Sequence, residues 1–347
     1  MTHQESVLVA SAQPTQLDRA LDEFSRRTCE PANDAVPQQM RALMAAGLDK
    51  LPAPGRGETL RRWQMLAKVA AADLSLLKLY EAHTDARAIL QELGSSEAAT
   101  GLWAAWAAEP PQARVEIATR NADCVILCGR KAWCSGALHV DHALMTVWDE
   151  QDRSQLVALA LNQPGVTVTR EGWQAVGMAA AASFEIHLDG ASALCIGEPG
   201  AYTARPGFWH GGAGIAACWY GAGVAIARHV QRNVRDDPHS LAHLGALDTA
   251  LSGARQALYA CASWIDKQPS AAAEYPARLV RAQVEAALER VMRHAGRALG
   301  AAPFCRDPHF ARLLADLPVF LRQSHAERDL ERLGELRLQR GDKDWNL

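Results

Sequence analysis

A short segment in the middle of the chain carries the residue types best suited to hold a flat ligand. It reads Gly129-Arg130-Lys131-Ala132-Trp133-Cys134-Ser135-Gly136-Ala137. Glycine and alanine let a ligand approach the backbone, the Trp133 indole offers a face for stacking, and the Ser135 hydroxyl can donate to or accept from a ring nitrogen. A β-hairpin corner that buries Trp133 in the core explains the same residues, because tryptophans in strands usually pack inside. Both interpretations stay open on this segment alone.

The segment lies in the only part of the chain where apolar residues mostly recur at every second position, as they do in strands. It follows a strand-like run that ends at Leu127 and precedes another that begins at His142. The strand candidates are residues 114–119, 124–128, 142–148, 155–161, 166–170 and 183–188. Short strands at this spacing, separated by turn residues, predict a small antiparallel barrel or sandwich.

Helical periodicity dominates on both sides of the strands. Helix candidates begin at residues 16, 38, 59 and 86, and four long ones cover 208–232, 241–265, 270–299 and 307–334. The first long helix is rich in glycine, which lowers helix stability, so we expect another helix or a ligand to approach it closely. Glu81 and His83 could line a site, but a solvated helix face explains them equally simply, and we assign them to such a face. The chain is therefore predicted to be α+β and mainly α, with an N-terminal helical domain (1–100), a middle β-barrel or β-sandwich domain (101–200) and a C-terminal four-helix bundle (201–347).

Bulk composition excludes several classes of function. The 36 basic and 39 acidic residues give a net charge of −3, without the basic excess that nucleic-acid binding requires. The eight cysteines include no second pair or histidine partner at zinc spacing, and their apolar surroundings are typical of reduced thiols. Residues 1–14 lack the pattern of a secretory signal, and no apolar run is long enough for a membrane span. We therefore expect a cytoplasmic protein with no metal site, no membrane contact and no nucleic-acid partner.

Specific local residues in this helix–strand–helix order resemble the acyl-CoA dehydrogenase family of flavoproteins, over roughly residues 59–334. Trp106-Ala107-Ala108-Glu109-Pro110 is similar to the family's Thr-Glu-Pro turn, and residues 129–135 are similar to its Gly-x-Lys-x-Trp-Ile-Thr/Ser motif. Asn162-Gln163-Pro164-Gly165-Val166 is similar to its Pro-Gly-Val turn. The resemblance implies an acyl-CoA dehydrogenase-like fold with FAD as cofactor and an acyl-CoA or other acyl thioester as substrate. It also implies a homodimer or homotetramer, with an electron acceptor that the sequence leaves unidentified.

The resemblance also assigns flavin contacts. Ser135 would hydrogen-bond near the isoalloxazine N5, and Trp133 would pack against the ring system. Ala108 stands where the family often has threonine, so only its backbone N–H could bind the flavin. In the family an Arg-x-x-Phe-Gly element reaches the flavin of the neighbouring subunit. Here the resemblance assigns its arginine to Arg235, or to Arg232, and the Phe-Gly part is absent. The glycine-rich run that follows Thr-Glu-Pro in the family, and helps to hold the pyrophosphate, is replaced here by Pro111-Gln112-Ala113-Arg114.

The catalytic base is the largest departure from the family. Dehydrogenation of an acyl thioester needs a carboxylate that removes the α-proton while hydride passes to the flavin. The family places this glutamate in a loop near the C-terminus or on the first C-terminal helix, where residues 211–217 contain no acid here. Glu327 and His325 are the nearest titratable residues to the loop position, and histidine can serve as a base near neutral pH. The competing interpretation is a solvated helix face on which Asp329 pairs with Arg332.

Three hypotheses about function follow. The first is an FAD-dependent acyl-CoA dehydrogenase. The second is a flavin-dependent monooxygenase on the same fold, which would dispense with the glutamate and use Ser324 or His325 near the flavin. The third is a non-catalytic member of the fold that binds a ligand or partner, which the altered phosphate-binding positions favour.

Overall fold

The structure of the protein is a computed structural model that describes residues 13–27, 34–95, 100–341 and 345. Residues 1–12, which the expectation about a secretory signal concerns, and Cys29 lie outside the described ranges. Within those ranges, four helices precede the strands. They are α1 (Gln16–Arg27), α2 (Ala35–Ala45), α3 (Thr59–Ala72) and α4 (Leu74–Glu92).

A helix break at Asp73 separates α3 from α4, whereas the sequence pattern predicted one helix from residue 59 to about 78 and another over 86–93. The Asp73 carboxylate accepts a hydrogen bond from the Leu76 N–H at 2.8 Å, so it caps a new helix. Helix α4 is buried on nearly all sides, and the solvated face predicted for it is wrong. His83 is fully buried between Asp49 and the backbone N–H of Trp103. The Glu81 side chain is only 13% exposed.

Seven strands form a closed barrel within the described residues. They are β1 (Trp103–Trp106), β2 (Val115–Asn121), β3 (Cys124–Cys134), β4 (His142–Trp148), β5 (Ser154–Ala160), β6 (Val166–Val168) and β7 (Phe184–Cys195). The order is β4-β2-β3-β7-β5, and β5 pairs again with β4, which closes the sheet. Strand β1 lies parallel to β4, and β6 pairs with β7. The predicted β module is therefore a barrel. Strand β1 was absent from the prediction because its four residues are too short and apolar to show alternation.

The C-terminal part contains three helices of 26 to 30 residues, two of 14 residues and two of four or five residues in the described ranges. They are α5 (Ala201–Ala204), α6 (Pro206–Asn233), α7 (Pro238–Lys267), α8 (Glu274–Leu299), α9 (Ala302–Arg306), α10 (Pro308–Leu321) and α11 (Glu327–Arg340). The candidate over residues 307–334 is thus two helices joined by a turn in which Ala326 has a φ of 46°. The predicted fold class, mainly α with a middle β-barrel and a C-terminal bundle, is confirmed, while the domain boundaries remain a prediction. None of the described helices combines the length and apolarity needed to cross a bilayer.

The glycines of α6 allow two helices to approach it closely. A Cβ at Gly221 would lie 2.2 Å from the carbonyl oxygen of Ala67 on α3, and one at Gly223 would lie 2.2 Å from the Leu288 side chain on α8. The expectation that another helix packs tightly against α6 is therefore confirmed. One large hydrophobic cluster joins the N-terminal helices, the barrel and the C-terminal helices in the described residues, and a second, smaller one packs α4 against β1, β4 and β5.

Candidate functional site

A bulge at the end of β3 turns Trp133 outward. Lys131 pairs with Ile186 and Cys134 with Phe184, so β3 has one residue more than β7 across this interval. Trp133 has a φ of 57° and is 52% exposed, whereas its neighbour Cys134 is fully buried. Positive φ in a bulky residue is uncommon, and an exposed indole forgoes hydrophobic burial. The interpretation that buries Trp133 in the core is therefore wrong, and the barrel presents the indole at its surface.

The small residues around Trp133 pack against the protein itself. A Cβ at Gly129 would lie 2.3 Å from the carbonyl oxygen of Arg114, where β2 and β3 approach each other. Gly136 has a φ of 73° and faces Leu79 of α4, and Ala137 is buried. These contacts account for the small residues without a ligand, and the expectation that they admit a flat ligand stays a prediction. Trp133 and Ser135 remain as the residues of the segment that can contact one.

Ser135 is held by two contacts at the end of β3. Its hydroxyl oxygen lies 2.9 Å from that of Ser183, and its carbonyl accepts a hydrogen bond from Trp106 Nε1 at 3.0 Å. Two hydroxyls that share one hydrogen bond retain one further proton, which can be donated to a ligand. Sequence reasoning missed Ser183 as a site residue, because the pairing joins two positions that lie far apart in the chain.

A buried lysine fixes the loop that carries Ala108. Lys131 is 1% exposed and donates to the Thr146 carbonyl at 2.7 Å and to Glu109 at 3.3 Å. Burial lowers the pKa of Lys131, and the Glu109 carboxylate opposes that shift. Ala108 lies beside Glu109 and is half-buried, and its N–H has no acceptor in the described part of the chain. Lys131 therefore ties the loop to β3 two residues from Trp133.

A cavity of about 370 Å³ lies between α4, the α5–α6 segment, α8 and the turn before α11. Aromatic side chains form part of its wall, namely Tyr202, Phe208 and Trp209. Its charged lining residues are Glu81, Asp85, Asp329, Arg205, Arg278 and Arg281. Most of these charges are paired. The ion pairs are Glu81–Lys78 (2.9 Å), Asp85–Arg62 (3.8 Å), Arg205–Glu92 (2.7 Å) and Asp329–Arg278.

The two candidate bases lie in different environments. His325 lines the cavity, its side chain is 68% exposed, and its backbone N–H donates to Asp329 at 3.0 Å. Glu327 is exposed on the first turn of α11 and does not line the cavity. The predicted pair of Asp329 with Arg332 is wrong, since Asp329 binds Arg278 and Arg332 binds carboxylates on α8 and α11. The structure thus brings His325 to the cavity and leaves Glu327 outside.

Two helices connect the cavity to the barrel edge. Leu79 of α4 faces Gly136, while Asp85 of the same helix lines the cavity, and six residues of helix span about 9 Å. Asp316 of α10 accepts a hydrogen bond from the Met178 N–H at 2.6 Å, next to the segment that hydrogen-bonds Gly136. The turn after α10 then leads to the cavity wall. Helices α4 and α10 therefore link the barrel segment that follows Trp133 to the cavity.

Arg235 lies far from the cavity within one chain. Its side chain is 81% exposed and pairs with Asp237 at 3.6 Å, just beyond the C-terminal end of α6. The cavity is lined by the opposite end of α6, at Gly211 and Gly212. At about 1.5 Å per helical residue, roughly 30 Å of α6 separates the two. The structure does not bring Arg235 to the other predicted flavin contacts.

No protein-family model matches this sequence, and no curated protein does. Solved structures match it over nearly its full length. Methanesulfinate monooxygenase MsuC from Pseudomonas fluorescens has a TM-score of 0.78 at 16% identity, covering 94% of this chain and 97% of the other. KijD3, solved with FMN and a dTDP-linked amino sugar, has a TM-score of 0.77 at 17% identity, covering 95% of this chain and 93% of the other. Butyryl-CoA dehydrogenase from Megasphaera elsdenii has a TM-score of 0.76 at 15% identity, covering 94% of this chain and 100% of the other.

At these identities the similarity establishes the fold. The chain has the acyl-CoA dehydrogenase fold, as the motif resemblance predicted. That fold is shared by a dehydrogenase, a monooxygenase and an FMN-bound protein, so the reaction must be argued from this chain's own residues.

Proposed function

We propose that the barrel edge binds a flavin ring against Trp133. An exposed indole at positive φ, a serine pair with a spare proton and an unbonded N–H at Ala108 are the features that a flat ring with polar edges requires. The resemblance implies FAD. The replacement of the glycine-rich run by residues 111–114 leaves FMN as the alternative, and KijD3 was solved with FMN.

We further propose that the reaction is an oxygenation rather than acyl-CoA dehydrogenation. The observation that carries this proposal is the state of the carboxylates. Glu81, Asp85 and Asp329 are each engaged by a cation, and Glu327 lies outside the cavity. Removing an α-proton from a thioester needs an unengaged carboxylate, whereas a flavin bound here and reduced by an external electron donor would supply two electrons to O2 without a protein carboxylate. MsuC, which shares the fold, is a monooxygenase.

The chain's own residues then have distinct roles. Trp133 orients the ring, and the Ser135–Ser183 pair donates a hydrogen bond to its polar edge. His325 lies at the cavity rim, where it can hold or move a proton. The aromatic wall of the cavity excludes water from the substrate. These assignments make Trp133 and Ser135 binding residues and His325 the candidate acid–base group.

Acyl-CoA dehydrogenation is the second candidate, because the segment from Gly129 to Ser135 matches the dehydrogenase motif. Two measurements separate the candidates. In the first, flavin-loaded protein is mixed anaerobically with butyryl-CoA; in the second, its flavin is reduced with dithionite and mixed with O2. We expect no bleaching by butyryl-CoA and reoxidation by O2 at least as fast as that of free reduced flavin. Bleaching by butyryl-CoA would establish the dehydrogenase, and failure to take up either FAD or FMN would favour the non-catalytic alternative.

A homodimer or homotetramer is part of the same proposal. Because Arg235 is about 30 Å from the cavity along α6, only a second copy of the chain could bring it to a flavin. Light scattering on the purified protein measures the number of copies. A monomer would exclude Arg235 as a flavin contact.

A further inference from the structure

Arg281 on α8 is a cavity-lining cation whose protein partners are all neutral. Its guanidinium donates to the Gly212 carbonyl at 2.8 Å and to the Gln323 carbonyl at 3.0 Å. One face of the group lies 4.8 Å from the centre of the Trp219 ring. Among the residues that the structure describes, no carboxylate lies within ion-pair distance of Arg281.

This arrangement distinguishes Arg281 from the other charges on the wall. Arg205 and Arg278 each have a carboxylate partner, and the three lining carboxylates each have a cation. Pairing therefore leaves Arg281 as the lining cation without a carboxylate at ion-pair distance, and the more distant Asp329 and Glu285 carboxylates only partly offset its charge. Burial lowers the pKa of Arg281, which reflects the loss of hydration around a group that stays charged.

The geometry leaves Arg281 able to bind an oxyanion. A guanidinium has five N–H groups, and only two are used by the carbonyls, so donors remain for a bidentate contact. A half-buried charge without a directly paired counter-ion is unfavourable, and an anionic ligand group would lower that cost. Arg281 also bridges Gly212 of α6 to Gln323, so a bound anion would lie near the turn that carries His325.

We propose that the cavity takes a substrate that bears a small oxyanion, a carboxylate or a sulfinate, and that Arg281 anchors it. The inference rests on the proposed flavin-dependent function, since it names the substrate class of the same site. A volume of about 370 Å³ suits a compact acid with an aliphatic or aromatic body, which the Phe208 and Trp209 side chains would contact. It is too small for a coenzyme A thioester to enter whole.

Calorimetric titration with matched acids and amides tests the anchor directly. The probes are acetate against acetamide and phenylacetate against phenylacetamide, which differ little except in charge. We expect at least one acid to bind about tenfold or more tighter than its amide, as a charge-assisted hydrogen bond implies. Arg281→Gln should abolish this preference. Arg290→Gln, an exposed arginine on the same helix with the same charge change, should preserve it.

The proposal is overturned if neither acid binds more tightly than its amide, or if Arg281→Gln retains the preference. Circular dichroism verifies that each variant is folded. Arg281→Lys keeps the positive charge but loses the planar, bidentate donor geometry of the guanidinium, so it should retain part of the preference for acids. Should Arg281→Gln fail to fold, the wild-type comparison and Arg281→Lys still decide the question. Acid binding without flavin uptake would reject the proposed function alone, whereas flavin uptake without acid preference would reject the anchor alone.

Discussion

The hydroxyl oxygens of Ser135 and Ser183 lie 2.9 Å apart, although the two residues are 48 positions apart in the chain. The contact joins the end of β3 to the residue that precedes β7. Because one hydroxyl proton lies between the two oxygens, the pair has a single proton left to donate outward. The two serines therefore act as one hydrogen-bond donor, whichever of them faces the flavin.

The serine pair predicts non-additive effects on flavin affinity. Ser135→Ala and Ser183→Ala should each weaken flavin binding by less than about 1 kcal/mol, because the hydroxyl that remains keeps a proton to donate. The double variant should lose more than the two single variants together, because only the double change removes the donor. Fluorescence titration of the four proteins with FAD and with FMN measures these losses. Losses that simply add would show that the serines act independently.

His325 and Glu327 lie two residues apart, yet only His325 lines the cavity. We expect His325→Gln to lower the turnover number about a hundredfold or more, the usual contribution of a general acid or base. Glu327→Gln should leave turnover unchanged and serves as the matched control, since both side chains are exposed. Turnover is measured as the acid consumed in air while light and EDTA continuously re-reduce the flavin, because each oxygenation uses one O2 and two electrons from the reduced flavin. A loss confined to Glu327→Gln would restore the dehydrogenase assignment.

Asp316 predicts a loss of stability as pH rises. The Asp316 side chain is 3% exposed, and burial raises its pKa to about 6. The hydrogen bond that the carboxylate accepts from the Met178 N–H opposes this shift. The folded state thus holds the proton more tightly than the unfolded state, whose pKa is about 3.9. Stability from this group is full below about pH 4 and is lost as pH rises through about 6, by about 2–3 kcal/mol.

Asp316→Asn removes this dependence and keeps an oxygen for the Met178 N–H. The variant should match the wild type near pH 4 and be about 1–3 kcal/mol more stable near pH 7, measured by urea unfolding at both values. A variant that is less stable than the wild type near pH 7 would show that the charged carboxylate stabilises α10 against the barrel.

Two glycines in helices predict opposite responses to alanine. A Cβ at Gly221 would lie 2.2 Å from the Ala67 carbonyl oxygen, whereas one at Gly253 of α7 meets nothing within 4 Å. Gly221→Ala should therefore destabilise the protein by about 1–3 kcal/mol through overpacking, and Gly253→Ala should stabilise it by up to about 1 kcal/mol through helix propensity. Urea unfolding measures both. Equal effects would mean that the approach of α3 to α6 adapts without cost.

The elements that the sequence predicted well are those with regular periodicity. Helix α1 and strand β4 have the predicted limits. Helix α1 buries one face, and β4 is a continuous apolar run, so both patterns are visible in the sequence. The elements that it missed depend on single residues or distant partners. The Asp73 cap divides α3 from α4, and the positive φ of Ala326 accompanies the turn between α10 and α11. Neither leaves a gap in the apolar pattern long enough to mark a boundary.

Some residues of the candidate site were likewise predictable from the sequence, and others were not. Motif resemblance identified Trp133 and Ser135, but the bulge that exposes the indole depends on the register between β3 and β7. Ser183 and Arg281 gain their significance only from residues far away in the chain, and Glu327 is displaced from the cavity by where α11 begins. Sequence spacing contains none of these relationships, because each is fixed by tertiary packing.

The central claim is that Trp133 holds a flavin ring at the barrel edge, and titration with FAD and FMN tests it most directly. Wild-type protein should bind one of them at saturation, and Trp133→Ala should weaken binding about three- to tenfold without changing thermal stability, since the indole is exposed. Trp345→Ala, which removes another exposed tryptophan, should leave flavin affinity unchanged. Equal flavin affinity in Trp133→Ala and the wild type, or no saturable binding in the wild type, would contradict the claim.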